Sequence, residues 1–294
     1  MKNVVLMFWT VSLFPTFLTV ADEIDVMKDV AYLEGANYAD NKDKLDLYMP
    51  KGDGPHPVVI FIHGGGLLRG SKDPYGFVDS YFAQNGFVAV IPNHRLSPSV
   101  KHPAHIEDIA ASFAWVHENI TKHRGNPMQI FVTGHSAGAY LAGLLACDAC
   151  YLAAHDLKRE NIAGVIPISG FYHVERLATG RPKSVWGENA ETWLAASPAQ
   201  YTDAAVPPIL FLYADGDAPE RRKESEDMVA ALREAGHSNA STKQIDDRDH
   251  VSIARKLASE GDETAPAMLA FMNQILLGEH APEQQRAFLT PYCY

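Results

Sequence analysis

The stretch IFVTGHSAGAYLAG, residues 130–143, runs a short apolar segment straight into Gly134-His135-Ser136-Ala137-Gly138 and continues in small and apolar residues that suit a helix. A strand that ends in glycines around one polar residue and re-enters a helix at once describes a sharp strand-to-helix turn. Glycine on both sides of Ser136 removes the Cβ atoms that would clash where the chain folds back on itself. Such a turn exposes the Ser136 hydroxyl. The first N–H groups of the following helix favour negative charge beside it. Ser136 is therefore the candidate nucleophile, and because G-x-S-x-G also arises by chance, its surroundings decide.

The flanking segments carry one repeated alternation. Residues 58–66 (VVIFIHGGG), 87–95 (FVAVIPNHR), 129–136 (QIFVTGHS), 164–170 (GVIPISG) and 209–217 (ILFLYADGD) are short continuous apolar runs, the pattern of strands covered on both faces. Residues 241–247 (STKQIDD) read as a further strand. Between them, residues 105–123, 139–149, 218–236 and 262–278 have helical spacing, the third ending at Gly236. Strand and helix in alternation predict an α/β fold: a mostly parallel central sheet with helices on both faces. Upstream, residues 30–50 (VAYLEGANYADNKDKLDLYMP) place Leu45, Leu47 and Met49 at every second position, which predicts an antiparallel N-terminal hairpin at the sheet edge. No repeat, low-complexity tract or long linker interrupts the chain, so residues 22–294 are expected to form a single domain without a large lid.

Composition narrows the partners. The 294 residues are 47% hydrophobic and 21% charged, as a soluble globular chain would be, and the net charge of −11 comes with scattered lysines and arginines rather than a basic stripe. Nucleic acid is a poor fit to that distribution. A small or neutral partner is expected. The N-terminus opens Met1-Lys2, runs uncharged and apolar from Val4 to Val20, and reaches Thr19-Val20-Ala21 before Asp22-Glu23. This pattern predicts a secretory signal peptide over residues 1–21, and with it a secreted or periplasmic protein with no stable membrane anchor after cleavage. A retained anchor is the alternative, disfavoured by the short run and by Pro15. Three cysteines, Cys147, Cys150 and Cys293, cannot all pair within one chain. A disulfide from Cys150 to Cys293 is expected, with free thiols as the alternative. Cys147 and Cys150 lack the second ligand pair of a zinc site and sit near a helix C-terminus, where a redox C-x-x-C gains little.

A serine needs a base within hydrogen-bond reach and a carboxylate to orient that base. In an alternating fold these should follow at later strand ends, in the order Ser, then Asp or Glu, then His. Asp217 follows ILFLYADG, and His250 follows STKQIDD. Asp215 is the rival acid. Asp217 is preferred because it lies past Gly216, where a loop can turn its carboxylate towards a histidine, while Asp215 supports the turn. Asp246, Asp247 and Asp249 in DDRDH read as a solvated turn rather than a metal site. HGGG at residues 63–66 ends another apolar run and lets main-chain N–H groups approach a substrate oxygen. Gly65, Gly66 and Ala137 are the candidate oxyanion donors, with His63 bracing the loop. Neither G-x-x-x-x-G-K-[ST] nor a G-x-G-x-x-G leading a helix is present, which argues against a phosphate cradle.

Together HGGG, NHRLSP (93–98), HPAHIEDI (102–109), GHSAG, ASP (196–198), GDAPERR (216–222) and DH (249–250) resemble the α/β-hydrolase esterases over about residues 40–260. The likeness is to small esterases related to acetyl-xylan and feruloyl esterases and to arylformamidases, and more distantly to hormone-sensitive-lipase-like carboxylesterases. This resemblance implies hydrolysis of carboxylic esters, with a small-molecule or carbohydrate ester as substrate, Ser136, Asp217 and His250 as nucleophile, acid and base, Gly65 and Gly66 as oxyanion donors, and no metal or organic cofactor. An arylformamidase or exopeptidase-type amide hydrolase is the alternative. Leu67-Leu68 stand where relatives often carry an aromatic residue, and an open, shallow site without a helical lid is expected. Arg95, Glu107 and Asp108 read as scaffold, whereas Phe171, Trp186 and Trp193 are candidates to line the leaving-group side or simply to pack.

Overall fold

The apolar runs pair side by side into one sheet. In a computed structural model that describes residues 24–36, 38–177, 183–202 and 205–278, eight strands are formed. They are β1 (Ile24–Ala31), β2 (Lys44–Pro50), β3 (His56–Ile62), β4 (Val88–Pro92), β5 (Gly125–His135), β6 (Ile162–Ile168), β7 (Ile209–Gly216) and β8 (Ala240–Asp249). Their order is β1-β2-β4-β3-β5-β6-β7-β8. β1 and β2 form the antiparallel edge hairpin and β2 runs antiparallel to β4, while β4 through β8 are all parallel. The expected leader and Cys293 lie outside the described residues. Cys147 and Cys150 form no disulfide within them.

Continuous apolar composition follows from two covered faces. Side chains alternate along a strand: Val58, Ile60 and Ile62 of β3 enter one core cluster, and Val59 and Phe61 enter the other. The first cluster is roofed by α2 (Ala104–Asn119), α3 (Ala137–Cys147) and α8 (Pro219–Glu234) through Phe113, Tyr140 and Leu232; α1 (Gly76–Gln84) and α10 (Thr264–Leu276) cover the second through Phe82 and Phe271. Among the described residues there are also short helices: α4 (Ala149–Ala153), α5 (Val174–Leu177), α6 (Lys183–Trp186), α7 (Ala190–Ala195) and α9 (Ser252–Arg255).

Three local differences from the sequence reading have physical causes. The helix expected over 139–149 starts at Ala137 and breaks at Asp148, which takes an extended conformation and accepts a hydrogen bond from the Cys150 N–H at 3.0 Å, capping α4. The helix expected over 105–123 ends at Asn119, continues as a 3₁₀ turn over Ile120–His123 and stops at Arg124 with φ of 66°. α1 is not anticipated: its GFVDSYFAQ sequence is rich in aromatic and β-branched residues of modest helix propensity, and its fold is set by packing Val78 and Phe82 onto β2 and β4.

The order of the parallel strands gathers the polar segments. β5 lies at the centre, flanked by β3 and β6, so the loops after β3, β5, β6, β7 and β8 open on one edge of the sheet. HGGG, Ser136, Ser169, Asp217 and His250 occupy those loops in turn.

Candidate active site

At the end of β5 the chain turns through Ser136, whose φ of 57° and ψ of −112° are strained for a side-chain-bearing residue. The surroundings hold it there. The Ser136 N–H donates to the Ile168 carbonyl at 2.9 Å, and its own carbonyl accepts from the Tyr140 N–H of α3. The flanking glycines are demanded by contact: a Cβ on Gly138 would lie 2.0 Å from the Ile62 carbonyl oxygen, and one on Gly134 would lie 2.7 Å from the Gly138 backbone. The helix thus starts pressed against the end of β3, and the serine hydroxyl is pushed out of the turn.

Ser136, Asp217 and His250, predicted from distant segments, meet in space. His250 Nε2 is 3.0 Å from Ser136 Oγ, and His250 Nδ1 is 2.8 Å from Asp217 Oδ1. The second oxygen of Asp217 accepts from Ser169 Oγ at 2.5 Å and from the Ala214 N–H at 3.0 Å. Burial of this carboxyl raises its pKa, but the hydrogen bonds from His250, Ser169 and Ala214 outweigh burial and leave it below the usual aspartate value. An ionised carboxylate only accepts, so Nδ1 carries the imidazole proton and Nε2 presents a lone pair to Ser136.

Asp215 does not reach the imidazole. It is exposed, and its Oδ1 accepts from the Gly216 and Arg248 N–H groups at 3.0 Å each, tying the ends of β7 and β8 together. Asp249 is likewise occupied locally, since its Oδ1 accepts from the Val251 and Ser252 N–H groups and so turns the chain into α9 directly after His250. Asp246 accepts from Gln244, and among the described residues no cluster of three or more His, Cys, Asp or Glu side chains is placed to hold a metal ion.

The glycine loop after β3 borders the same cavity. Gly65 and Gly66 line it with φ of 122° and 70°, and the Gly65 carbonyl accepts from the Leu68 and Arg69 N–H groups. A Cβ on Gly65 would lie 1.9 Å from the Arg69 carbonyl oxygen. The main-chain N–H groups of Gly65, Gly66 and Ala137 donate to no other described residue, Ala137 being the first residue of α3. His63 lies beneath: fully buried, it donates from Nδ1 to the Gly64 carbonyl at 2.8 Å and stacks on His94 at 4.4 Å.

Three supports escaped the sequence reading. Ser169, at the end of the apolar run GVIPISG, donates to Asp217, and Arg221 Nη1 holds the Ser169 carbonyl at 2.6 Å. His135 Nε2 donates to the His250 carbonyl at 2.7 Å, fixing the backbone of the imidazole's own residue; burial pushes His135 down to about 4, so it stays neutral. The available signal was position alone: Ser169 ends a strand adjacent to β5, and His135 immediately precedes Ser136.

Arg95 and Asp108 are scaffold. Arg95 Nε and Nη2 clasp the buried Asp108 carboxylate at 2.7–3.0 Å, and the Arg95 N–H donates to it as well, while Glu107 stays 4.0 Å away. Phe171 and Trp186 are buried and pack around Tyr140, with ring centroids at 4.8 and 6.0 Å, and Trp193 donates to the Gly187 carbonyl. None of the three aromatics lines the Ser136 cavity. Its walls are instead Leu68, Tyr75, Phe77, Val251 and Ala254, enclosing about 960 Å³. The apolar wall comes from the loop after β3 and from α9 because those segments border Ser136, whereas Phe171 and Trp186 pack inward onto Tyr140 of α3.

An open, mostly parallel sheet with a serine turn after its central strand and an imidazole and carboxylate beyond later strands defines the class: this is the α/β-hydrolase fold, shared with solved esterases. Esterase B from Lactobacillus rhamnosis superimposes with a TM-score of 0.75 over 92% of this chain and 90% of its own at 21% identity. A truncated carbohydrate esterase from gut microbiota does so with 0.69 over 85% and 96%, at 18% identity. The chain belongs to the BD-FAE family, which residues 45–232 match. Among curated relatives, esterase LipQ of Mycobacterium tuberculosis (strain ATCC 25618 / H37Rv) is 29% identical over 209 residues, 66% of this chain, and the match spans half of LipQ's own length, 50%. Kynurenine formamidase of Danio rerio is 29% identical over 241 residues, 80% of this chain and 78% of its own. Among the described residues no helix is long and apolar enough to cross a membrane.

Proposed function

We propose that this chain is a carboxylic ester hydrolase that works through an acyl-enzyme on Ser136 and takes short-chain acyl esters, including acetyl or feruloyl esters of carbohydrates. The observation that carries the reading is the unbroken relay Ser136–His250–Asp217, at 3.0 and 2.8 Å, opening on a cavity bordered by unpaired main-chain donors. Ser136 Oγ attacks the ester carbonyl as its proton passes to His250 Nε2. Asp217 stabilises the imidazolium through Nδ1–H. The N–H groups of Gly65, Gly66 and Ala137 stabilise the negative tetrahedral oxygen. The C–O bond to the alcohol then breaks, and the alcohol leaves with the proton from Nε2. Water attacks the acyl-enzyme, gives a proton to His250, and the second tetrahedral species releases the carboxylic acid and returns the proton to Ser136.

Esterase relatives support the ester reading, the α/β-hydrolase fold is consistent with it, and an open cavity beside Ser136 supports short acyl groups. The test is active-site labelling by a fluorophosphonate together with rates on 4-nitrophenyl esters of increasing chain length, acetylated xylan and methyl ferulate. Labelling that Ser136→Ala abolishes, with the highest kcat/KM on the shortest acyl groups, is expected. A protein that the probe does not label sinks the reading. The similarity to kynurenine formamidase over 80% of the chain favours a second reading, amide hydrolysis by the same relay; faster turnover of N-formylkynurenine than of the short esters would select it.

A further inference from the structure

The cavity around Ser136 is basic in a chain whose net charge is −11. Arg69, from the loop that carries Gly65 and Gly66, and Arg255, at the end of α9 beyond His250, both line it, and among the described residues no Asp or Glu does. Neither guanidinium forms a hydrogen bond or ion pair with any described residue. Every other arginine among the described residues donates to a carboxylate or a main-chain carbonyl: Arg95 to Asp108, Arg176 to Asp227 and Arg221 to the Ser169 carbonyl illustrate the pattern. The two unpaired arginines therefore share one cavity, and it is the cavity of the reactive serine.

An arginine is permanently charged and presents a planar fork of donors matched to a carboxylate. Within a concave site such charges also focus the local field, offsetting the repulsion an acidic protein exerts on an approaching anion. Tyr75 and Phe77 supply aromatic surface beside them. We propose that this cavity selects esters that carry a carboxylate on their acyl or alcohol part, and that Arg69 and Arg255 bind that carboxylate. The proposal rests on the ester-hydrolase reading of Ser136, and it adds the charge class of the substrate.

The experiment uses the purified full chain and two matched pairs of esters. 4-Nitrophenyl hexanoate against mono-4-nitrophenyl adipate places the carboxylate on the acyl side; methyl 4-acetoxybenzoate against 4-acetoxybenzoate places it on the alcohol side. Each kcat/KM is divided by the rate of hydroxide hydrolysis of the same ester. We expect the anionic member of one pair to be favoured by about tenfold or more, the size of a charge-assisted contact, and the pair concerned identifies the side. The preference should fall towards unity in Arg69→Gln/Arg255→Gln, survive in part in the double lysine variant, and shrink as sodium chloride rises. Arg222→Gln, on α8 outside the cavity, should leave the ratio unchanged. Ratios below twofold for both pairs in the unaltered protein, or a preference that the double glutamine variant keeps, overturn the proposal. Hydrolysis of the neutral esters reports separately on the parent reading: turnover without charge preference sinks only the carboxylate site, whereas no turnover of any ester sinks both.

Discussion

Asp217→Asn is expected to disable the relay by a mechanism that the neighbouring donors dictate. Ser169 Oγ and the Ala214 N–H both point at Oδ2, at 2.5 and 3.0 Å. An asparagine placed there keeps its carbonyl oxygen facing those two donors and turns its NH₂ towards His250 Nδ1. A donor opposite Nδ1 forces the imidazole proton onto Nε2, which then cannot accept from Ser136. Flipping the amide back would set NH₂ against the Ala214 N–H, leaving a buried donor unpaired at about 1–3 kcal/mol. The carboxylate's charge-assisted bond to the imidazolium, about 1.5–3 kcal/mol, is lost in either orientation. At 1.36 kcal/mol per factor of ten, the two losses together lower kcat/KM by on the order of 10²–10⁴-fold. The assay is steady-state hydrolysis of 4-nitrophenyl acetate by Asp217→Asn, by Asp215→Asn, and by Ser169→Ala/Asp217→Asn. Asp215→Asn should stay within about threefold of the unaltered protein, because that carboxylate bonds only main-chain N–H groups at the strand ends. The double variant should be no more active than Asp217→Asn alone, since the Ser169 hydroxyl can rotate to accept from the amide whereas the Ala214 N–H, which only donates, still opposes the flip. An Asp217→Asn protein within tenfold of the unaltered one, or a double variant clearly more active than the single, refutes the reasoning.

Further outcomes follow from burial. Gly138→Ala puts a Cβ 2.0 Å from the Ile62 carbonyl, so the start of α3 must move; a loss of roughly 3 kcal/mol in urea unfolding and weak fluorophosphonate labelling are expected, and unchanged labelling would count against the packed turn. Asp79 is fully buried without a hydrogen-bond partner, and burial raises its pKa well above the ordinary value. The unfolded chain releases this proton as pH climbs past 3.8 while the folded chain retains it, so stability is lost with rising pH. Asp79→Asn should therefore raise Tm at pH 7, with a gain that fades towards pH 4; a lower Tm at pH 7 is the adverse result. Burial pushes His94 down from 6.5 to about 4. Its stabilisation is complete above pH 6.5 and is lost as pH falls to about 4, a change on the order of 3 kcal/mol. His94→Gln should flatten the fall in urea midpoint across that window, and an identical slope in both proteins would contradict it.

Much of the fold was legible because physical constraints leave marks in consecutive residues. Strands covered on both faces need continuous apolar runs, hence the visible segments that became β3 to β7; in β2, Leu45, Leu47 and Met49 alternate because they share the face turned to one core cluster, while Tyr48 joins the other cluster and Asp46 is buried in an ion pair with Lys72. The glycines around Ser136 were also readable, because a turn pressed against β3 tolerates no Cβ. α1 was hidden because its helicity comes from packing rather than propensity.

The site divides along the same line. Residue types and their order along the chain proposed a serine, an aspartate and a histidine at successive strand ends. The choice of Asp217 over Asp215 was legible from its place past Gly216, but only the tertiary arrangement decided the rest of what touches what: that Ser169 and His135 hold the pair in place, that the candidate aromatics lie outside the Ser136 cavity, and that Arg69 and Arg255 stand unpaired beside Ser136. Local patterning records the environment of each element, buried or exposed, one face or two. Contacts between side chains more than a hundred positions apart depend on how whole elements are laid against one another, and no single segment carries that information.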